Sequence, residues 1–211
     1  FSDERVAGEE AQCRTHAAAI VDGLPRGVTV QTVAGIGVPY AVRSQSTWLG
    51  WPATLEEDLV AWMQDNHAAT RSGDRSWTRE VAARFDAMIH ELLEARRDHA
   101  GTDVTRQLMR DEVDGRPLSD EEIVSILRNW TAGDLGSLAT SVGGVVHYLA
   151  SHAEVQTEMR SLVAAGDAAR VEAGIEEILR IDDPFVANRR VATKATTLGG
   201  EAIPAGGQVL L

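Results

Sequence analysis

Residues 118–151 read LSDEEIVSILRNWTAGDLGSLATSVGGVVHYLAS, and the fold is decided there. The stretch opens on a helix-start pattern, with Ser119 at the N-cap, Glu122 three residues later and Asp120 and Glu121 between them. A Ser hydroxyl and a Glu carboxylate at that spacing satisfy otherwise orphaned backbone N–H groups, and acids suit the positive end of a helix. Leu118 and Ile123 are spaced as a hydrophobic staple. Apolar residues then recur at 123, 126, 127, 130, 135, 138, 142, 145, 146 and 149, which is helical spacing.

Beyond Trp130 almost nothing charged remains on any face except Asp134 and, at the far end, His147. The pattern therefore predicts one helix of about 48 Å, buried for most of its length. Yet Gly133, Gly136, Gly143 and Gly144 lie within it, and each interior Gly costs about 1 kcal/mol relative to Ala. Two causes account for them equally well at this level: close helix packing, or a large group lying against the Gly133–Ser137 turn.

The rest of the chain sets bounds. Its 211 residues suffice for one sizeable core or two small ones. A net charge of −12, from 32 acids against 20 bases, argues against nucleic-acid binding. The single cysteine, Cys13, excludes an internal disulfide and fits a reducing compartment. No apolar run reaches membrane-spanning length and no signal-peptide pattern opens the chain, so a soluble, cytoplasmic protein is expected, with no membrane partner.

Working outward, residues 3–24 read as an amphipathic helix, and Val28, Val30 and Val33 as a short strand. A second capping box, Thr54 and Glu57, predicts a helix over 54–70, and a long helix follows the RSGDRS loop. Shorter helices are expected at 154–164 and about 168–181, then strands punctuated by Gly-Gly and Pro-Ala-Gly turns. The class is mainly α with a small β element at the C-terminal end.

No conventional catalytic motif stands out. The six histidines include no i, i+4 pair and no HExxH, and GxSxG and P-loop patterns are missing, so no protein-ligated metal is expected within this sequence. Cys13 sits among Gln12 and Arg14 and reads as a small hydrophobe rather than a nucleophile or iron ligand. The informative set is Glu177-Ile-Leu-Arg180, flanked by apolar residues, then Arg190-Val-Ala-Thr, Leu198-Gly-Gly and Ile203-Pro-Ala-Gly206. On a helix Glu177 and Arg180 face the same way and can pair.

That ordered set resembles the cytochrome P-450 family, the haem-thiolate monooxygenases, particularly the soluble bacterial type. The Glu-x-x-Arg helix falls on Glu177 and Arg180, the Arg-x-Ala strand on Arg190, and the Ile-Pro-Ala-Gly turn on residues 203–206. The long helix resembles the family's central helix, whose Gly-rich turn crosses the haem face. His152-Ala-Glu-Val-Gln is similar to the family's next stretch, with Ala153 where Pro is usual. The resemblance covers 118–211 strongly, and 1–117 fit the preceding helices in length and order. It implies the middle portion of one cytochrome P-450 domain, incomplete at both ends: preceding helices over 1–117, the central helix over 118–152, and the Glu-x-x-Arg helix with strands over 153–211.

The implied chemistry is that of an oxidoreductase, a monooxygenase inserting one oxygen atom from O2 into a small, mostly apolar substrate. It would use haem (heme b) iron and NAD(P)H-derived electrons passed by a redox partner, a ferredoxin or flavoprotein reductase. The family's ligating Cys lies beyond the Ile-Pro-Ala-Gly turn, so this piece alone is not expected to be active. Counted back from His152, Ser137 takes the family's Thr position, Gly136 the acid position, and Asp134 is an acid displaced by two. Ser137 and Asp134 are thus the catalytic candidates, and Gly133, Gly136 and Arg190 the haem-binding ones. Leu127, Trp130, Thr131, Phe185, Val186, Ala187 and Asn188 would line the substrate pocket, with Glu177 and Arg180 as a buried structural pair. The displaced acid and the missing Cys loop also suit an alternative, a haem-less relative serving as helper of another enzyme.

Overall fold

The computed structural model describes residues 3–182 and 188–210. They fall into two compact units, one over residues 1–158 and the other over 159–211. Eight α-helices are present among the described residues: α1 (Asp3–Asp22), α2 (Val38–Leu49), α3 (Glu56–Ser72), α4 (Arg75–Glu94), α5 (Val104–Leu108), α6 (Asp120–Ser151), α7 (Ala153–Ala165) and α8 (Ala168–Ile181). Six short strands accompany them: β1 (Glu112–Val113), β2 (Arg116–Pro117), β3 (Arg189–Val191), β4 (Thr196–Leu198), β5 (Glu201–Ile203) and β6 (Gln208–Leu210). The mainly helical class expected from the sequence is the one observed.

The first unit is organised around α6, an unbroken helix of 32 residues. Its start is the capping box read from the sequence. Glu122 N–H donates to Ser119 Oγ at 3.3 Å, and Ser119 N–H donates to Glu122 Oε2 at 2.8 Å. Arg116, from β2, adds a bidentate pair to the same carboxylate at 2.7 Å on both arms. Leu118 packs against the core that contains Ile123, as a staple should.

The helix is not apolar-buried on all sides. Its buried residues are Ile123, Val124, Leu127, Thr131, Leu135, Ala139 and Gly143, a single stripe of mostly i, i+4 spacing. That stripe meets α2, α3 and α4, whose Val42, Leu49, Leu59, Phe85, Ile89 and Leu93 are almost wholly buried. The expectation of burial for most of its length is therefore corrected: apolar composition permits burial, but only the residues facing a neighbouring helix achieve it.

Two other expectations change. The Val28–Val33 strand does not form; Val33–Gly37 is a π-helical turn running directly into α2. Alternating valines carry strand propensity, but here the segment lies against α6, with Val33 at Gly143, and packing overrides propensity. The Thr54–Glu57 capping box is not made either. Pro52, with φ fixed at −71°, lets a 3₁₀ turn begin at Ala53, so Thr54 already lies inside the helical turn. The start of α4 is capped instead by Asp74, which accepts from Ser76 and Trp77 N–H groups.

A buried polar staple closes this unit. Trp51 Nε1 donates to Thr105 Oγ1 at 3.0 Å, and Thr105 Oγ1 donates to the Leu49 carbonyl at 2.7 Å. Beside it, Arg96 is 7% exposed, donates to the carbonyls of Leu92 and Gly50, and lies 3.8 Å from Asp103.

In the second unit, α7 and α8 cross tightly at Gly174, where a Cβ would fall 2.8 Å from Met159 Sδ. The strands form two antiparallel pairs. Arg190 stands opposite Val209 in β3–β6, and Thr197 opposite Ala202 in β4–β5. The Gly199–Gly200 turn between β4 and β5 has φ of 58° and 89°, a left-handed geometry that favours glycine.

Candidate functional site

Opposite its buried stripe, α6 carries an open groove of about 500 Å³, lined by Ser125, Ile126, Arg128, Asn129, Trp130, Ala132 and Gly133. Helical geometry brings 125/126, 129/130 and 133 to one side, because residues three and four apart share a face. Trp130 forms one wall, half-buried and tilted at 44° against Trp48 of α2, with ring centroids 5.5 Å apart. Gly133 is the open point of the groove: among the described residues, a Cβ built there meets nothing within 4 Å.

The four glycines of α6 therefore divide between the two causes. Gly143 serves close packing, since a Cβ there would fall 2.9 Å from Val33 N and 2.7 Å from its Cα. Gly136 faces α3, where a Cβ would stand 3.5 Å from His67 Nε2. Gly133 and Gly144 are open.

Ser137 Oγ donates to the Gly133 carbonyl at 3.0 Å and lies 3.2 Å from that of Asp134. This is the back-bonding habit of a helical Ser. Asp134 is exposed, and partial loss of hydration raises its carboxyl pKa above the ordinary value.

The other sequence candidates scatter. Leu127 and Thr131 point away from the groove into the core, both fully buried, and the Thr131 hydroxyl has no hydrogen-bond partner among the described residues. Phe185, Val186 and Ala187 lie outside the described residues. Asn188 is exposed and accepts a hydrogen bond from Arg190. Glu177 and Arg180 form the anticipated pair, bidentate at 2.7 Å on both arms. Their burial is corrected: side-chain exposure is 55% for Glu177 and 70% for Arg180. The i, i+3 spacing suffices to pair them, whereas burial needs a neighbour over that face, and among the described residues none covers it. Each partner shifts the other accordingly, Glu177 downward and Arg180 upward, chiefly through the shared hydrogen bonds.

Trp48, Ile126, Asn129 and His67 were not singled out in the sequence. Ile126 carried the helical period and Asn129 its neighbourhood. The positions of Trp48 and His67 depend on how α2 and α3 cross α6, which no local pattern encodes. Among the described residues no group of three or more His, Cys, Asp or Glu gathers to hold a metal ion. Cys13 lies beside Tyr40, whose phenol pKa is raised by burial and by that neighbour. No described helix is long and apolar enough to cross a membrane.

The element order, helices before a long central helix and then a charged-pair helix with small β pairs, matches that of solved cytochromes P450. A cytochrome P450 from Chondromyces apiculatus matches all of this chain and 51% of its own, with a TM-score of 0.80 and 27% identity. Ligand-free cytochrome P450 TbtJ1 matches all of this chain and 55% of its own, with a TM-score of 0.82 and 25% identity. In sequence, a probable cytochrome P450 from Sinorhizobium fredii is 27% identical over 210 residues, 99% of this chain and 48% of that protein. The erythromycin C-12 hydroxylase of Saccharopolyspora erythraea is 38% identical over 114 residues, 52% of this chain and 26% of that protein. No protein-family model matches the chain. Its relatives in sequence and in structure are bacterial cytochromes P450, several of them matched over the whole of this chain. It spans about half the length of the curated relatives it matches over its whole extent.

The groove's chemistry suits haem. A flat apolar macrocycle needs a helix face with no side chain in its way and apolar walls beside it. Gly133 supplies the first, and Ile126 and Trp130 supply the second.

Proposed function

We propose that the protein spanned by this chain is a haem-thiolate monooxygenase, inserting one oxygen atom from O2 into a small, mostly apolar organic substrate. NAD(P)H-derived electrons would reach it through a ferredoxin or flavoprotein reductase. The observation that carries this reading is the open Gly133 face in an unbroken α6, within a fold matched over the whole chain. The haem would supply the oxygen-activating chemistry, and the chain's own residues position, shield and deliver protons.

Gly133 lets the macrocycle approach the helix backbone, and Ile126 and Trp130 exclude water from that side. Asn129 offers a polar point that orients a substrate, a role in which one buried hydrogen bond discriminates strongly. Ser137 holds its hydroxyl on the carbonyl of Gly133, the groove's last lining residue, by that hydrogen bond. A rotation about χ1 turns that hydroxyl toward a groove water without breaking the helix ladder. Asp134, with its raised pKa, exchanges protons nearer neutrality than an ordinary carboxyl does. Arg190 carries a guanidinium fork that matches a carboxylate, the group a haem propionate presents.

The test is the reduced, CO-bound absorption spectrum of the full-length protein. A thiolate-ligated haem shows its red-shifted Soret band; a protein that takes up no haem overturns the reading.

A further inference from the structure

His67 extends from α3 to Gly136, placing Nε2 3.5 Å from where a Cβ at that position would be. Gly136 precedes Ser137 and stands three residues after Gly133, so the imidazole borders the turn at which α6 carries its open glycine. The same ring is exposed to solvent. An imidazole thus borders, from a different helix, the position at which α6 itself offers no side chain.

We propose that His67 is the proton-transfer group of this site, substituting from α3 for the side chain that Gly136 lacks. The proposal rests on the monooxygenase reading and names the residue serving its proton demand. Imidazole is suited to it because one ring nitrogen can receive a proton while the other releases one. One nitrogen takes a proton from bulk solvent. The other gives a proton to a water in the groove, beside the Ser137 hydroxyl. The ring ends neutral or charged as it began, so no further reactant is required. A Cβ at position 136 would stand at ordinary van der Waals distance from Nε2, so a carboxyl placed there would border the imidazole.

Two measurements on the full-length protein test this. The first compares His67 ring NMR signals, assigned by their loss in His67→Gln, in protein loaded with ferric haem and with zinc protoporphyrin. Paramagnetic broadening falls steeply with distance, so the signals should broaden with the ferric haem and stay sharp with zinc. Sharp signals in both overturn the proposal while leaving the haem reading intact; failure to bind either porphyrin overturns both. The second measures peroxide against product. His67→Gln should raise that ratio about tenfold, less than the full effect of a proton-transfer group because water substitutes in part. The double variant His67→Ala with Gly136→Asp, which restores a carboxyl on α6, should bring it back down. Broadened signals with an unchanged ratio in His67→Gln make the ring a neighbour only, and the proposal fails.

Discussion

Gly37 lies so close to Ala139 that a Cβ on it would collide with the Ala139 carbonyl oxygen. Four residues further along α6, Gly143 meets the backbone of Val33 in the same way. The helical run from Val33 and the central helix thus touch backbone to backbone through one glycine from each. Gly37→Ala should cost about 1–3 kcal/mol, because carbonyl and helix must move apart rather than a side chain turning aside. Gly144→Ala, in open space on the same helix, should stabilise by up to about 1 kcal/mol. Urea midpoints of the two variants check the opposite signs.

Gly133 separates stability from ligand binding. A Cβ there meets no described atom within 4 Å, so Gly133→Val should leave the unfolding midpoint near that of the parent, apart from a small gain in helix propensity. The branched side chain would nevertheless stand in the groove. Haem uptake by full-length protein should fall at least tenfold in affinity, about 1.4 kcal/mol, measured by Soret titration. Unimpaired uptake would place the haem elsewhere.

At the start of α6 the Glu122 carboxyl is held down to about 2, first by the Arg116 hydrogen bonds and then by the Ser119 N–H. A depressed carboxyl stabilises the folded state fully above its unfolded value near 4.5, and that contribution is lost as pH falls toward 2. Helical signal and urea midpoint should therefore decline over that acid window. Glu122→Gln keeps an acceptor for the Ser119 N–H but no charge for Arg116, and should decline less steeply.

Thr105 is wholly buried between the Trp51 indole and the Leu49 carbonyl. Thr105→Val keeps the shape and removes both hydrogen bonds, leaving a buried N–H without its acceptor. The expected loss is about 1–3 kcal/mol, read from thermal or urea unfolding. Thr105→Ser, which keeps the hydroxyl, should recover most of it.

For Glu177 and Arg180, exposure settles the size of the effect. A surface pair held by i, i+3 geometry contributes little and is screened by salt. Glu177→Ala should shift the unfolding midpoint of the 211-residue chain only slightly, and less still in high salt. A large loss there would show that this face is covered in solution.

The sequence by itself determined the helices and the start of the central one. The Ser119–Glu122 box, the staple and the Glu177–Arg180 pair are legible because residues three to five apart on a helix meet whatever surrounds them. Their chemistry needs no partner from elsewhere. Only the tertiary structure decided which apolar face of α6 is buried, and hence that Leu127 and Thr131 belong to the core while Ile126, Trp130 and Gly133 line a groove. It also decided that Val33–Gly37 is helical, that Gly143 answers to packing and Gly133 to open space, and that His67 reaches Gly136. Each of these depends on contact between segments far apart in the chain. Amino-acid periodicity states which residues can be buried; only the crossing of helices determines which of them are.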